Sequence, residues 1–205
     1  WFTFDSHQPR GRRMTTELRS IVNELDQALL RNHRFDRALF DELTALQMRT
    51  GITHGQRPIS PFLRPYFLPA SRYRAISAAA TILSEAFEAL TEAALESDDL
   101  MDKLGVSEKE RRFARIEPGY KAVSVTSRLD AFLGPSGFKF LEYNAETPAG
   151  VGDQHILEQI YRLVPGVRAF LVQHRHFFAH PQVKLLEALV AAYRESGGRE
   201  ERPAI

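Results

Sequence analysis

Four residues in two short runs have the types and spacing to do chemistry together: Arg128 and Asp130, two apart, and Glu142 and Asn144, two apart again. Both pairs fall in runs with strand character. The stretch 121–130 is rich in β-branched residues, 138–144 alternates apolar and polar positions, and Gly134-Pro135-Ser136-Gly137 between them signals a hairpin. Pro135 suits the first corner of a type I turn, and Gly137 suits the left-handed residue that closes a three-residue loop. With that loop Gly134 opposes Phe138, so Asp130 opposes Glu142 and Arg128 opposes Asn144. Residues two apart share a strand face, and the four side chains are expected to form one polar patch. Two facing carboxylates repel each other by roughly several tenths of a kcal/mol. A divalent cation between them removes that conflict. The donors are all oxygen, which favours Mg²⁺ or Mn²⁺ over zinc, and Mg²⁺ completes its shell with water and nucleotide phosphates. A neighbouring guanidinium suits a transferring phosphoryl group. The competing reading is a solvated outer face carrying an Arg–carboxylate pair, the commoner fate of charged strand residues.

The runs Ser127-Arg128-Leu129-Asp130 and Lys139-Phe140-Leu141-Glu142-Tyr143-Asn144-Ala145-Glu146-Thr147-Pro148-Ala149-Gly150 resemble the metal-binding core of the circularly permuted ATP-grasp enzymes, whose best-known branch is glutathionylspermidine synthase-like. The family pattern is R-x-D on one strand and E-x-N-A-[DE]-T-P on the next, at the separation found here. The resemblance implies that Asp130, Glu142 and Asn144 coordinate Mg²⁺ and that Arg128 touches the terminal phosphate of ATP or the acyl-phosphate. By the same analogy Glu146 and Thr147 face the acyl or amine substrate, although Glu146-Thr-Pro-Ala-Gly read alone is only a turn. The implied activity is ATP-dependent carboxylate–amine ligation, acting on small-molecule or peptide carboxylates and amines.

The resemblance is confined to these runs, and members of that family are much longer. In the permuted order the lid, with its lysine and adenine pocket, would follow the metal-binding half. The final Arg202-Pro203-Ala204-Ile205 reads as the first residues of a strand, so the chain is expected to be a fragment or truncated member. Gly150-Val151-Gly152 cannot replace a phosphate loop, because Asp153 follows and repels phosphate. The reading from a different class is a non-catalytic helical module, forming a homodimer through its N-terminal half.

The elements that must position the patch give an α+β expectation: a helix-rich N-terminal half, then the metal-binding hairpin and helices of an incomplete ATP-grasp-like fold. Residues 1–13, with Arg10, Arg12 and Arg13, read either as a leader ahead of a natural start at Met14 or as a flexible basic arm. Region 14–120 follows as the helical part. Leu18, Ile21, Val22, Leu25 and Leu29 predict a first helix, and Leu39, Phe40, Leu43 and Leu46 a second, stopped by Gly51. Pro58, Pro61, Pro65 and Pro69 among aromatics make 51–70 an ordered crossing loop. The longest helix is expected from a Ser71 cap to about Glu96, then two short ones, the second with Ser107 and Glu110 as a capping box. Region 121–205 holds the hairpin, a helix to about Leu163, an aromatic and histidine-rich stretch and a helix over 181–195. His174 and His176 on a strand would share a face as a zinc pair, with His155 and His180 nearby. No carboxylate is close in sequence and Phe177 and Phe178 adjoin them, which favours packing histidines.

Composition limits the alternatives. Among 205 residues, 27 Lys+Arg against 26 Asp+Glu leave a net charge of +1, which argues against nucleic-acid binding by bulk charge and against a polybasic membrane tether. The chain has no cysteine, which excludes disulfides, thiolate metal sites and cysteine nucleophiles. No apolar run approaches the roughly 20 residues that span a bilayer. The expectation is a soluble, cytoplasmic protein.

Overall fold

The computed structural model describes the backbone of residues 2–4, 13–32, 37–62, 64–134, 137–145 and 148–204, with the side chains of all these except 2–4, 13–18, 31 and 32. In chain order its elements are β1 (Phe2–Phe4), α1 (Arg13–Asn32), α2 (Arg37–Arg49), β2 (Thr53–His54), β3 (Arg57–Pro58), β4 (Phe67–Pro69), α3 (Ala70–Leu95), α4 (Asp98–Lys103), α5 (Glu108–Ala114), β5 (Arg128–Gly134), β6 (Gly137–Asn144), α6 (Val151–Tyr161), α7 (Pro165–Gln173), β7 (His176–Phe177) and α8 (Pro181–Glu195). The chain is a mixed helix-and-strand protein in which helix predominates. Among the described residues no helix is long and apolar enough to cross a membrane.

Two compact units share the chain. One comprises Trp1–Ile76, Leu133–Phe138 and Ala149–Gln182; the other comprises Ser77–Phe132, Lys139–Pro148 and Val183–Ile205. Both units draw on residues from either side of position 120, the boundary expected from composition.

The first unit has a dense apolar core. Leu25 of α1 and Val164 and Val167 around α7 retain no exposed surface, and Leu43, Phe67, Ile160, Tyr161, Phe170 and Leu171 complete the cluster. Ile21, Val22 and Leu29 pack against it, so the expected helical stripe of α1 is the face that is buried. Gly166 lets α7 come close to α1, since a Cβ there would lie 2.9 Å from Leu29 Cδ2. Gly51, with φ of 74°, ends α2: its own N–H and that of Ile52 return to the carbonyls of Met48 and Gln47.

Several sequence expectations are corrected here. Residues 2–4, within the stretch read as a leader or basic arm, form β1, the central strand of a three-stranded sheet, parallel to β4 and antiparallel to β7. The 51–70 loop contains the two-residue pair β2–β3 as well as β4. Helix α3 starts at Ala70, which puts Ser71 inside its first turn. The stretch after Leu163, expected only as aromatic and histidine-rich, contains α7, which Pro165 opens because proline at the first helical position lacks only an N–H that would have no intrahelical partner. Residues 202–204 form no strand.

In the second unit both expected short helices are present, and the second has the expected capping box. Ser97 accepts from Leu100 N at 3.3 Å, and Ser107 and Glu110 form the reciprocal capping box. Ion pairs from Arg115 and Arg111 to Asp98, and from Arg111 to Asp102, tie α5 to α4. Among the described residues of this unit only Ala94 and Met101 are apolar and fully buried.

Candidate functional site

Both strands of the hairpin exist and are paired, β5 with β6. Their limits differ from expectation at both ends. The strand begins only at Arg128, because 121–127 find no ladder partner. That segment is held instead by side chains: Val123 N–H donates to Glu88 Oε1 at 3.1 Å, and Ser124 Oγ donates to the carbonyls of Thr126 and Ala145 at 2.9 and 3.2 Å. At the tip Gly137 belongs to β6, leaving two residues between the strands where three were expected. Pro135 and Ser136 lie outside the described residues. Gly137 is not left-handed, and a gap of two residues opposes Gly134 to Gly137, so a regular ladder sets Asp130 opposite Leu141 where Glu142 was expected.

The four patch residues are placed as two couples, each formed within its own strand. Arg128 Nε donates to Asp130 Oδ1 at 2.9 Å, and both side chains remain about two-fifths exposed at 42% and 40%. Asn144 Nδ2 donates to Glu142 Oε1 at 3.0 Å. Alternation along a strand explains both contacts, since residues two apart project on one side. The Tyr143 ring lies 4.6 Å from that of Phe87 on α3, so Glu142 and Asn144 project from the opposite side of β6. The Asn144 amide nitrogen is thereby engaged by Glu142. Glu146 and Thr147, the expected substrate contacts, lie outside the described residues.

Arg72, near the start of α3, has a positioning role that nothing in the sequence indicates. Its Nη2 donates to the backbone carbonyls of Gly134 and Gly137, the last residue of β5 and the first of β6. A single guanidinium thereby clamps both sides of the turn.

Each couple offers hard oxygen donors, a carboxylate in the first and a carboxylate with an amide oxygen in the second. Among the described residues no three His, Asp or Glu side chains gather as a metal site. A site of two carboxylates and an asparagine falls outside that grouping. The histidines do not form the zinc pair considered above. His174 caps the C-terminus of α7 with its Nε2 3.6 Å from Glu24 Oε1, while His176, in β7, has Nδ1 2.9 Å from the carbonyl of His174. His155 Nε2 lies 2.8 Å from Gln159 Nε2 within α6. At the start of α6, Gly150 is the N-cap with φ of 100° and Asp153 occupies the first turn, where its charge suits the positive end of the helix.

No family model matches the chain, and neither a curated protein nor a solved structure shows significant similarity to it.

Proposed function

We propose that this chain supplies the Mg²⁺-binding half of an ATP-dependent carboxylate–amine ligase of the circularly permuted ATP-grasp type. One observation supports the reading most: adjacent paired strands each carry a hydrogen-bonded couple, Arg128–Asp130 and Glu142–Asn144, of the residue types such a centre uses. Asp130, Glu142 and the Asn144 oxygen are the ligands in this reading, which requires the two couples to share a face of the hairpin. Bound Mg²⁺ supplies charge neutralisation for the phosphates of ATP. Arg128, ordered by its contact with Asp130, presents its guanidinium to the γ-phosphoryl group.

In the reaction a substrate carboxylate oxygen attacks the γ-phosphorus as the bond to ADP breaks, giving an acyl-phosphate. The amine nitrogen then attacks the acyl carbon. The C–N bond forms, inorganic phosphate leaves with the former carboxylate oxygen, and the amine proton passes to solvent. The protein contributes position and charge and needs no nucleophile of its own.

The direct test is Mn²⁺ binding followed by electron paramagnetic resonance, with ATP added afterwards. The wild-type chain is expected to bind one Mn²⁺, and Asp130→Ala and Glu142→Ala each to weaken it by about tenfold or more. Absence of binding by the wild type, or variants that bind equally well, would refute the metal centre.

The helical interaction module remains the second reading, favoured by the apolar side chains that α3 leaves in solvent, Ile82 at 67% and Leu90 at 43% exposure. It predicts a dimer by sedimentation that Ile82→Asp disrupts, with no Mn²⁺ dependence.

A further inference from the structure

The first unit carries a second collection of charged groups, outside the hairpin couples. A partly open cleft of about 320 Å³ is lined by Arg162, Arg168, Leu171, Val172 and His176. Its size is at the lower end of small-molecule sites. Arg168, Leu171 and Val172 stand at i, i+3 and i+4 on α7, which brings one guanidinium and two apolar side chains onto a single helix face. Leu171 is buried and Val172 is 84% exposed, so the apolar wall reaches from the core out to solvent.

The opposite wall is ordered by ring contacts. The Arg162 guanidinium carbon lies 4.3 Å above the centre of the Phe178 ring, and that ring meets His176 edge-on at 5.3 Å. Stacking restrains a guanidinium while leaving its N–H edge available for anionic oxygens. Among the described residues no carboxylate forms an ion pair with Arg162 or Arg168; Glu24, the acidic group at this end, is 3.6 Å from His174 instead. Two cationic forks beside an apolar wall, with no carboxylate paired to them among the described residues, make a site with a definite chemical preference.

We propose that this cleft binds a small organic anion, its carboxylate or phosphate head between Arg162 and Arg168 and its apolar body against Leu171 and Val172. The site is separate from the metal-binding reading and stands or falls without it. Calorimetric titration with benzoate, phenyl phosphate and neutral benzyl alcohol tests it, with the two anions separating a carboxylate from a phosphate preference. At least one anion is expected to bind while benzyl alcohol does not, and raising the salt concentration should weaken the binding.

Arg162→Gln and Arg168→Gln should each weaken that anion by about tenfold, the scale of a charge-assisted contact. Both arginines are exposed, and unchanged urea midpoints will show that the variants fold. Val172→Asp, which leaves both guanidiniums in place, should weaken the anion as well. The proposal is overturned if neither anion binds at 10-fold molar excess over a millimolar chain (about the limit of weak sites), if benzyl alcohol binds equally, or if the arginine variants bind like the wild type.

Discussion

Arg128 Nε stands 2.9 Å from Asp130 Oδ1, so the carboxylate proposed as a metal ligand is already paired with a cation of the protein. Guanidinium and metal compete for Asp130 as long as no phosphate is present to draw the guanidinium away. Arg128→Ala is therefore expected to bind Mn²⁺ alone about fivefold more tightly, corresponding to roughly 1 kcal/mol for a half-exposed pair of charges. The same variant should lose the further tightening that ATP brings to the wild type. Mn²⁺ titrations with and without ATP measure both effects, and unchanged metal affinity in the variant would show that the couple does not gate the site.

Gln47 is 3% exposed and grips the backbone of Ser60 from both sides, donating through Nε2 to its carbonyl and accepting its N–H at Oε1, each at 2.9 Å. One amide side chain thus replaces a rung of sheet for the proline-rich segment, which has few backbone partners of its own. Gln47→Leu keeps the volume and leaves both Ser60 groups unmatched, at a cost of about 2–3 kcal/mol. Urea unfolding should show a lower midpoint with an unchanged slope.

The parts of the hairpin legible in sequence are those set by local chemistry. Strand character at 128–130, the end of the expected 121–130 run, and at 138–144, the Ser107–Glu110 box and the Gly51 stop each depend on neighbours within a few residues, and all are present. The parts that were not legible depend on distant partners. Residues 121–127 have β-branched side chains, but a strand needs a ladder partner, and here side-chain contacts from Glu88 and Ser124 take its place. Arg72 reaches Gly134 across 62 positions in sequence, with no pattern to announce it. Helix α7 was masked by Pro165 and Gly166, which punctuate a chain when they follow a helix but can equally begin one. The Arg162–Arg168 cleft went with it, because only the helix sets Arg168 beside Leu171 and Val172.

Tyr161 fastens the same proline-rich segment from the other side. Its hydroxyl donates to the Phe62 carbonyl at 3.1 Å, which leaves Ser60 Oγ to donate to the phenol oxygen. Burial raises the phenol above its ordinary range, while the Ser60 contact lowers it in part. A raised value in the folded chain means that the unfolded chain releases this proton first. The contribution to stability is complete below about pH 10 and is lost as pH rises through the folded value. Tyr161→Phe should cost about 1 kcal/mol at neutral pH for the lost hydrogen bonds. It should also flatten the fall in stability above about pH 10, measured as the change in urea midpoint against wild type.

At acid pH the vulnerable part is the α4–α5 pair. Asp98 is held below the usual carboxylate range chiefly by the hydrogen bond and charge of Arg115, with Arg111 adding to it, and Glu110 is lowered by the Ser107 hydroxyl and backbone N–H. Depressed values in the folded chain give stability that is present above about pH 4 and is lost as pH falls through the folded values. The surrounding unit buries little apolar surface, with Ala94 and Met101 its fully buried apolar residues among those described, so local opening has little packing to oppose it. Amide exchange in 98–115 is expected to speed up a few-fold on going from pH 5 to pH 3, after correction for the intrinsic rate. In Arg115→Ala the pH 5 rate should already approach the acid rate, because the partner that lowers Asp98 is gone. Equal pH dependence in the variant and the wild type would mean that the Asp98–Arg115 contact does not hold these helices together.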